Sequence, residues 1–192
     1  MRKLVVTNIV SLDGCFTGPG GDISAMPFDA GFSEYNAERL REAGTLLLGA
    51  DTYAGFKDYW PQVAADPDAP ELEREIARLN GEMEKVVVSD RLEAVPDGPW
   101  GTVRAVRRAD AHAEVAKLKA GEGKEILVFG SHVLWNDLLA AGLVDELHLI
   151  VAPGVIGNGV PAFTGPGRFQ LLGTQTWPGT SLVLIRYSAS SA

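Results

Sequence analysis

The stretch from Glu125 to Phe163 constrains the fold of this chain most, because it reads as one complete βαβ unit. Ile126 to Phe129 is a short, wholly apolar run, which is typical of a strand buried on both faces. The segment after Gly130-Ser131 carries apolar residues at helical spacing, Val133, Leu134, Leu138 and Ala141. Gly142 ends this helix, and Leu147 to Ala152 reads as a second buried strand. A strand, helix and strand joined this closely favour a parallel sheet.

The Gly130-Ser131 corner has two interpretations. It places free backbone N–H groups and the positive end of a helix dipole after a strand, where open α/β sheets hold phosphate groups. It contains one glycine rather than G-x-G-x-x-G, and no Walker lysine follows. Gly130 also fits a close-packing role, with Ser131 as a helix cap. The pattern alone favours neither interpretation.

A second corner of the same kind follows the strand from Thr45 to Leu48. Gly49 ends this strand, and Asp51-Thr52-Tyr53 begins a helix. Asp51 is also a good N-cap, so this corner can be explained without a ligand.

The rest of the chain repeats the order strand then helix and closes with two strands. Further strands are predicted at Leu4–Val10, Lys85–Ser89 and Thr102–Val106, further helices at 32–44, 71–83 and 109–119, loops at 17–22 and 58–70, and an antiparallel hairpin at 169–176 and 181–188. This order predicts an α/β fold of three layers, with a mostly parallel central sheet and an antiparallel C-terminal hairpin. We expect a single domain over residues 1–188 and a frayed tail at 189–192.

Composition excludes several classes of protein. The 192 residues are 46% apolar and 22% charged, as in an ordinary globular protein, and the formal charge of -8 disfavours nucleic acid and acidic membranes as partners. One cysteine and three scattered histidines provide neither a disulfide framework nor metal-ligand spacing. No segment approaches the length of a membrane span, and we expect a cytoplasmic protein.

With these elements placed, the chain resembles the dihydrofolate-reductase-like superfamily. It is most similar to the reductase (C-terminal) domain of the bifunctional riboflavin-biosynthesis deaminase-reductase, in a stand-alone form. The matching motifs, in chain order, are Ser11-Leu12-Asp13-Gly14, Leu47-Leu48-Gly49 with Thr52-Tyr53, Val87-Val88-Ser89, Val128-Phe129-Gly130-Ser131, Gly142-Leu143-Val144-Asp145-Glu146, and Pro153 to Gly157 with Gly159. Each motif is weak alone, but together they cover nearly the whole chain.

The resemblance implies a site for a reduced nicotinamide dinucleotide across the carboxyl ends of the strands. NADPH is the expected cofactor, and NADH is possible. The residues that the resemblance places around it are Gly49, Asp51, Thr52, Ser89, Arg91, Gly130, Ser131, His132, Val133, Leu134 and Gly157. The two glycine corners would hold the pyrophosphate, and Ser89 to Arg91 would lie by the adenosine ribose and its 2′-phosphate. Arg91 is equally well explained as a solvated surface charge.

One position departs from the family pattern. Relatives usually carry an arginine after the glycine of strand two, where it contacts phosphate. This chain has Ala50 there, followed by the acid Asp51. Losing a cation and gaining a carboxylate beside phosphate groups weakens recognition of a 2′-phosphate.

The residues that contact the substrate are harder to predict from the sequence than those that contact the cofactor. Asp13 and Glu146 are the candidate substrate contacts, although Asp13 also fits a turn and Glu146 a structural role. The acids nearest to the position of the folate-binding carboxylate, Asp29 and Glu34, lie in no recognisable motif, which disfavours folate reduction.

Two functions remain open at this point. One is a reductase of a small pyrimidine- or pterin-like heterocycle, and the other is a nucleotide-binding module of the same fold without catalysis. In either case we expect a homodimer, because a C-terminal hairpin exposes a strand edge.

Overall fold

A computed structural model gives the fold of the chain and describes residues 1–92 and 100–189. Those residues form ten β-strands, which are Leu4–Val10 (β1), Cys15–Thr17 (β2), Ala43–Gly49 (β3), Glu84–Val88 (β4), Val103–Val106 (β5), Glu125–Phe129 (β6), Glu146–Val151 (β7), Val160–Pro161 (β8), Phe169–Thr176 (β9) and Val183–Ala189 (β10). The same residues form five α-helices, which are Ala30–Glu42 (α1), Ala50–Ala65 (α2), Glu71–Glu82 (α3), Ala111–Ala120 (α4) and His132–Ala140 (α5).

Eight strands form one sheet in the order β5-β4-β3-β6-β1-β7-β10-β9. The first six strands in this order, β5 to β7, run parallel to one another. The last two do not, because β10 runs antiparallel to both β7 and β9. This arrangement confirms the predicted α/β class, with its mostly parallel sheet and antiparallel C-terminal hairpin. Because the glycine corners follow β3 and β6, the parallel pairing of these two strands brings the corners to the same edge of the sheet.

Helices cover both faces of the sheet. Side chains of β1 alternate between the faces, so that Val6 packs in one core with Trp135 of α5, while Val5 packs in another with Leu40 of α1 and Ile76 of α3. All five residues are at most 1% exposed. The predicted three layers are therefore confirmed.

The loop predicted from Asp58 to Pro70 is wrong over its first half, because α2 continues to Ala65. Pro61 lies inside this helix, although a proline removes an intrahelical hydrogen bond. Phe56 and Trp60, one turn apart, pack edge to face with ring centroids 6.1 Å apart and rest against the core. The burial of this aromatic stripe outweighs the local helix-breaking signal.

Strands β2 and β8 form a separate antiparallel ribbon, in which Cys15 pairs with Pro161. No sequence pattern predicted them, since three and two residues are too short for a periodicity. Ala189, assigned to the tail, ends β10, and positions 190–192 lie outside the described residues. Among the described helices, none has the length and apolar character needed to cross a membrane.

A chain of hydrogen bonds, buried from Thr7 to His148, links the adjacent strands β1 and β7 through Tyr35 of α1. The Thr7 hydroxyl lies 3.2 Å from the Tyr35 hydroxyl, which in turn lies 2.5 Å from Nδ1 of His148. Nε2 of His148 lies 3.0 Å from Oε2 of Glu146, and the other carboxylate oxygen, Oε1, accepts from Nζ of Lys3 at 2.6 Å. These partners assign the proton of neutral His148 to Nε2, with Nδ1 accepting from Tyr35. Burial lowers the pKa of His148, and the bond to Glu146 only partly offsets this effect.

The lowered pKa of His148 predicts a loss of stability in mild acid. The unfolded chain, with an imidazole pKa of about 6.5, then binds more protons than the folded chain as the pH falls. The stabilisation by neutral His148 is complete when the pH is above the pKa of the unfolded chain. It is lost as the pH drops through the lower pKa of the folded chain. Thermal melts between pH 7 and pH 5 should show a steeper decline for the parent than for His148→Gln, which keeps a donor and an acceptor. Parallel declines would contradict a neutral buried His148.

Candidate functional site

The two glycine corners are joined directly at the carboxyl edge of the sheet. The backbone N–H of Gly49, at the end of β3, donates to Oγ of Ser131 at 2.9 Å. The backbone N–H of Ser131, between β6 and α5, donates to Oγ1 of Thr52 at 3.0 Å. The first turns of α2 and α5 are therefore held side by side.

The backbone of the second corner is left-handed at two consecutive residues. Gly130 has a φ of 53° and Ser131 a φ of 52°, and Ser131 is the one non-glycine residue with positive φ in the described parts of the chain. Such a conformation costs a side-chain-bearing residue about 1–3 kcal/mol. It persists because Ser131 is tied to the neighbouring corner. The amide of Asn8 adds to this support when oriented to donate to the Gly130 carbonyl and accept from the Trp135 indole N–H.

Neither helix at these corners is capped by a side chain. Gly49 is the N-cap of α2, and Ser131 is the N-cap of α5 but uses its hydroxyl to accept from Gly49. The N–H groups of the first helical turns and the positive ends of two helix dipoles thus point at one place. Uncapped helix N-termini of this kind form anion-binding sites in proteins.

A cleft of about 940 Å³, the polar cleft, opens in front of the two helix starts. It brings together most of the residues that the sequence assigned to a cofactor, namely Gly49, Asp51, Thr52, Ser89, Arg91, Ser131, His132, Val133 and Leu134. Ala50 lines it as well. These residues come from α2, α5 and the segment after β4, so one dinucleotide-sized cleft spans three neighbouring strand ends.

The far end of the polar cleft carries two exposed arginines, Arg91 and Arg108. Ser89 Oγ accepts from the backbone N–H of Arg91 at 3.1 Å and so shapes the turn that presents this arginine. The Nε of Arg108 lies 3.7 Å from Asp90, whose carboxylate partly offsets the positive charge. Arg108 was not among the cofactor residues predicted from the sequence. It follows β5, the strand beside β4, so the order of the strands could have indicated its position.

A second cleft of about 710 Å³, the aromatic cleft, lies on the other side of β2. Its aromatic lining residues are Phe16, Phe28, Phe32, Phe56, Tyr59, Trp60 and Phe129. Phe16 and Thr17 of β2 line both clefts and form their common boundary. No pattern in the sequence had singled out Phe16.

His132 fixes the boundary in place. Its ring stacks on Phe16 with centroids 4.8 Å apart and an interplanar angle of 21°. Its Nε2–H donates to the carbonyl of Pro161 in β8 at 2.9 Å. The start of α5 and the β2–β8 ribbon therefore position the boundary together.

Four of the residues predicted to bind the cofactor or the substrate lie outside the polar cleft. Gly130 lines the aromatic cleft instead, and Asp13, Gly157 and Glu146 line neither cleft. Glu146 begins β7, at the opposite end of the sheet from both clefts, and reaches the aromatic cleft only through the buried chain that ends at Thr7.

Asp13 organises a turn between distant segments. Its carboxylate accepts from the Ser11 hydroxyl at 2.7 Å and from the backbone N–H groups of Ile156 and Gly157 at 3.1 and 2.7 Å. These bonds, that from Ser11 foremost, lower the pKa of Asp13 to about 2. Asp13 therefore remains ionised and committed to the backbone.

Known proteins resemble this chain in sequence or in fold. The uncharacterized protein YyaP of Bacillus subtilis is 30% identical over 165 residues, which cover 84% of this chain and 80% of YyaP. The fold is similar to that of a pyrimidine reductase-like protein from Corynebacterium diphtheriae, with a TM-score of 0.65, 18% identity, and coverage of 100% of this chain and 93% of that chain. It is also similar to dihydrofolate reductase from Enterococcus faecalis complexed with NADP(H), with a TM-score of 0.59, 13% identity, and coverage of 98% and 97%.

The family model of the RibD C-terminal domain matches residues 2–182, nearly the whole chain. The resemblance that the motifs predicted is thereby confirmed. The chain belongs to the RibD C-terminal domain family and has a dihydrofolate-reductase-like fold.

Proposed function

We propose that this protein is a nicotinamide-dinucleotide-dependent reductase of a small heterocycle. The observation that carries the proposal is the shared boundary at Phe16 and Thr17, with uncapped helix N-termini on one side and aromatic walls on the other. Hydride transfer requires chiefly that donor and acceptor rings be held in contact away from water. Two clefts that meet at one boundary are suited to this purpose. Membership of the RibD C-terminal domain family, and fold similarity to a pyrimidine reductase-like protein, support the same proposal.

The polar cleft has the donors that a dinucleotide needs. The first-turn N–H groups of α2 and α5 would hold the pyrophosphate, and Arg91 and Arg108 would lie at the adenosine end. The nicotinamide end would then lie at the Phe16–Thr17 boundary. When bound, a reduced nicotinamide supplies the hydride, while Phe16 and Thr17 position the acceptor ring. Fold similarity to a dihydrofolate reductase complexed with NADP(H) supports a nicotinamide dinucleotide as the ligand.

Val133 offers a direct test of the pyrophosphate site. It lies in the first turn of α5, lines the polar cleft and is 72% exposed. An acid in a first turn stabilises a helix, so Val133→Asp should fold normally while repelling the pyrophosphate. Isothermal titration should give a Kd for NADPH at least tenfold higher, about 1.4 kcal/mol, for Val133→Asp. The uncharged control Val133→Asn should remain close to the parent. Equal affinities in all three proteins would place the dinucleotide elsewhere.

We propose that preference for the 2′-phosphate depends on Arg91 and Arg108. These two residues would replace the arginine that relatives usually carry at the position of Ala50. A charge-assisted bond to phosphate contributes about 1.5–3 kcal/mol. The NADPH/NADH affinity ratio should therefore fall about tenfold or more in Arg91→Ala and in Arg108→Ala. Ala50→Arg should raise the ratio, less so if Asp51 pairs with the new arginine.

Arg107→Ala is the matched control for this series. Arg107 is also exposed, but it lines a separate cavity behind the turn rather than the polar cleft. The NADPH/NADH affinity ratio should be unchanged in Arg107→Ala. If it changes equally in this variant, or changes in none of the variants, the 2′-phosphate does not bind beside Arg91 and Arg108.

We also propose that the protein is a homodimer joined through β9. This strand is the sheet edge beyond β10, and Leu171 and Leu172 on it are 56% and 50% exposed. Pairing of two copies would cover both the edge and these side chains. Light scattering at micromolar concentration should give twice the mass of one chain for the parent and a lower mass for Leu172→Lys. A parent that scatters as a single chain contradicts the proposal.

A nucleotide-binding module without catalysis is the second candidate, and Asp51 is the observation that favours it. This acid is exposed in the polar cleft beside the α2 N-terminus, where a productive pyrophosphate would lie. On this alternative the protein would bind a nucleotide but would oxidise no NADPH over a panel of heterocycles. Substrate-dependent NADPH oxidation excludes it.

A further inference from the structure

The aromatic cleft has a chemical character that narrows the substrate class. Its walls are mainly apolar, with side chains from β1, β2, α1, α2 and α3. Flat rings such as Phe32, Phe56 and Trp60 suit a planar aromatic ligand by stacking and edge contacts.

The charge of this cleft disfavours a phosphorylated substrate. Among the described residues that line it there is no lysine, arginine or histidine, and Glu73 is the one charged group. A phosphate here would lose its hydration without gaining a cation and would be repelled by the Glu73 carboxylate. The cations of the site, Arg91 and Arg108, line the polar cleft instead.

Two buried acceptor atoms without partners belong to residues that line the aromatic cleft. Asn36 of α1 and Asn80 of α3 line it and are 8% and 1% exposed, and neither side-chain oxygen has a hydrogen-bond partner. The amide nitrogen of Asn80 donates to the Ile76 carbonyl at 2.9 Å, which leaves the oxygen as its free atom. Glu73 accepts from the Ser33 hydroxyl at 2.5 Å through one carboxylate oxygen and has a second oxygen for a ligand.

Buried acceptors without partners are uncommon in folded proteins and require an explanation. Because Asn36 and Asn80 line the aromatic cleft, a ligand held there could supply the missing donors. Asn36 and Asn80 come from two helices that pack against each other, at the end of the cleft formed by α1 and α3. A ring whose N–H groups face these helices would extend towards Phe16 and Thr17. Its reducible bond would then lie at the boundary with the polar cleft.

We propose that the substrate is a neutral or cationic, unphosphorylated nitrogen heterocycle that presents at least two N–H donors to Asn36, Asn80 and Glu73. This inference rests on the proposed reductase function and narrows it to a substrate without a phosphate-bearing chain. Reduction adds a hydride to the carbon of a ring C=N bond and a proton from water to its nitrogen, and the reduced nicotinamide is oxidised.

Binding titrations with two matched pairs of ligands test the proposal on the NADPH-loaded protein. In the first pair, 5-amino-6-ribosylaminouracil is compared with its 5′-phosphate, and the unphosphorylated form should bind at least tenfold more tightly. In the second pair, 2,4-diaminopteridine should bind at least tenfold more tightly than unsubstituted pteridine, which has no N–H donors. Quenching of tryptophan fluorescence reports binding, since Trp60 lines the cleft.

Asn36→Leu links the donor preference to the residue. Replacing a buried oxygen that has no partner with an apolar group of similar size should leave the melting temperature equal or higher. The variant should lose the preference for 2,4-diaminopteridine over pteridine, and its affinity for NADPH should be unchanged.

The possible outcomes separate this inference from the function on which it rests. If the parent binds NADPH but favours the phosphorylated ligand, binds neither pair, or keeps its donor preference in Asn36→Leu, the substrate class is wrong while the reductase proposal stands. If the parent fails to bind NADPH, the reductase proposal itself falls, and the inference falls with it.

Discussion

The site depends on the two hydrogen bonds that join the corners after β3 and β6. Without the Ser131 hydroxyl, the partly buried N–H of Gly49 would lose its protein partner. Without Thr52, the left-handed backbone of Ser131 would lose the bond that helps to hold it. Because both serine groups are committed to this link, α2 and α5 keep their N-terminal N–H groups for a ligand. Local strain and helix ends without caps are thus two aspects of one arrangement.

The boundary between the clefts depends on close approaches of irregular backbone. A Cβ atom at Gly154 would lie 2.2 Å from the Ala25 carbonyl oxygen, and one at Gly159 would lie 2.4 Å from the Thr17 carbonyl oxygen. Only glycine allows these contacts, which press the segment before β8 against β2 and against the loop that follows β2. Asp13 holds the turn between these glycines through two backbone N–H groups. A residue assigned to the substrate from its position thus supports the boundary rather than touching either cleft.

Much of the framework could be predicted from local patterns, because buried parallel strands read as apolar runs and glycine marks the corners. Ile126 to Phe129 is an example, and its placement beside β3 brought most of the assigned cofactor residues together. Features that depend on distant contacts could not be predicted in this way. Phe16 acquires its role through a ribbon with β8, and the two backbone N–H groups that Asp13 binds lie 143 and 144 residues further along. Glu146 shows the converse error, since attention to strand direction would have placed it at the amino end of β7.

In the proposed reaction, a ring held in the aromatic cleft receives a hydride across the boundary at Phe16 and Thr17. The most direct measurement is NMR of 2,4-diaminopteridine after incubation with the protein and NADPH carrying deuterium at the transferable C4 position. We expect one deuterium on a ring carbon of the reduced product. The same label should be absent when Thr17→Trp fills the boundary, while this variant still binds NADPH. Product that carries hydrogen from water alone at that carbon, or equal labelling in Thr17→Trp, would contradict transfer between the two clefts.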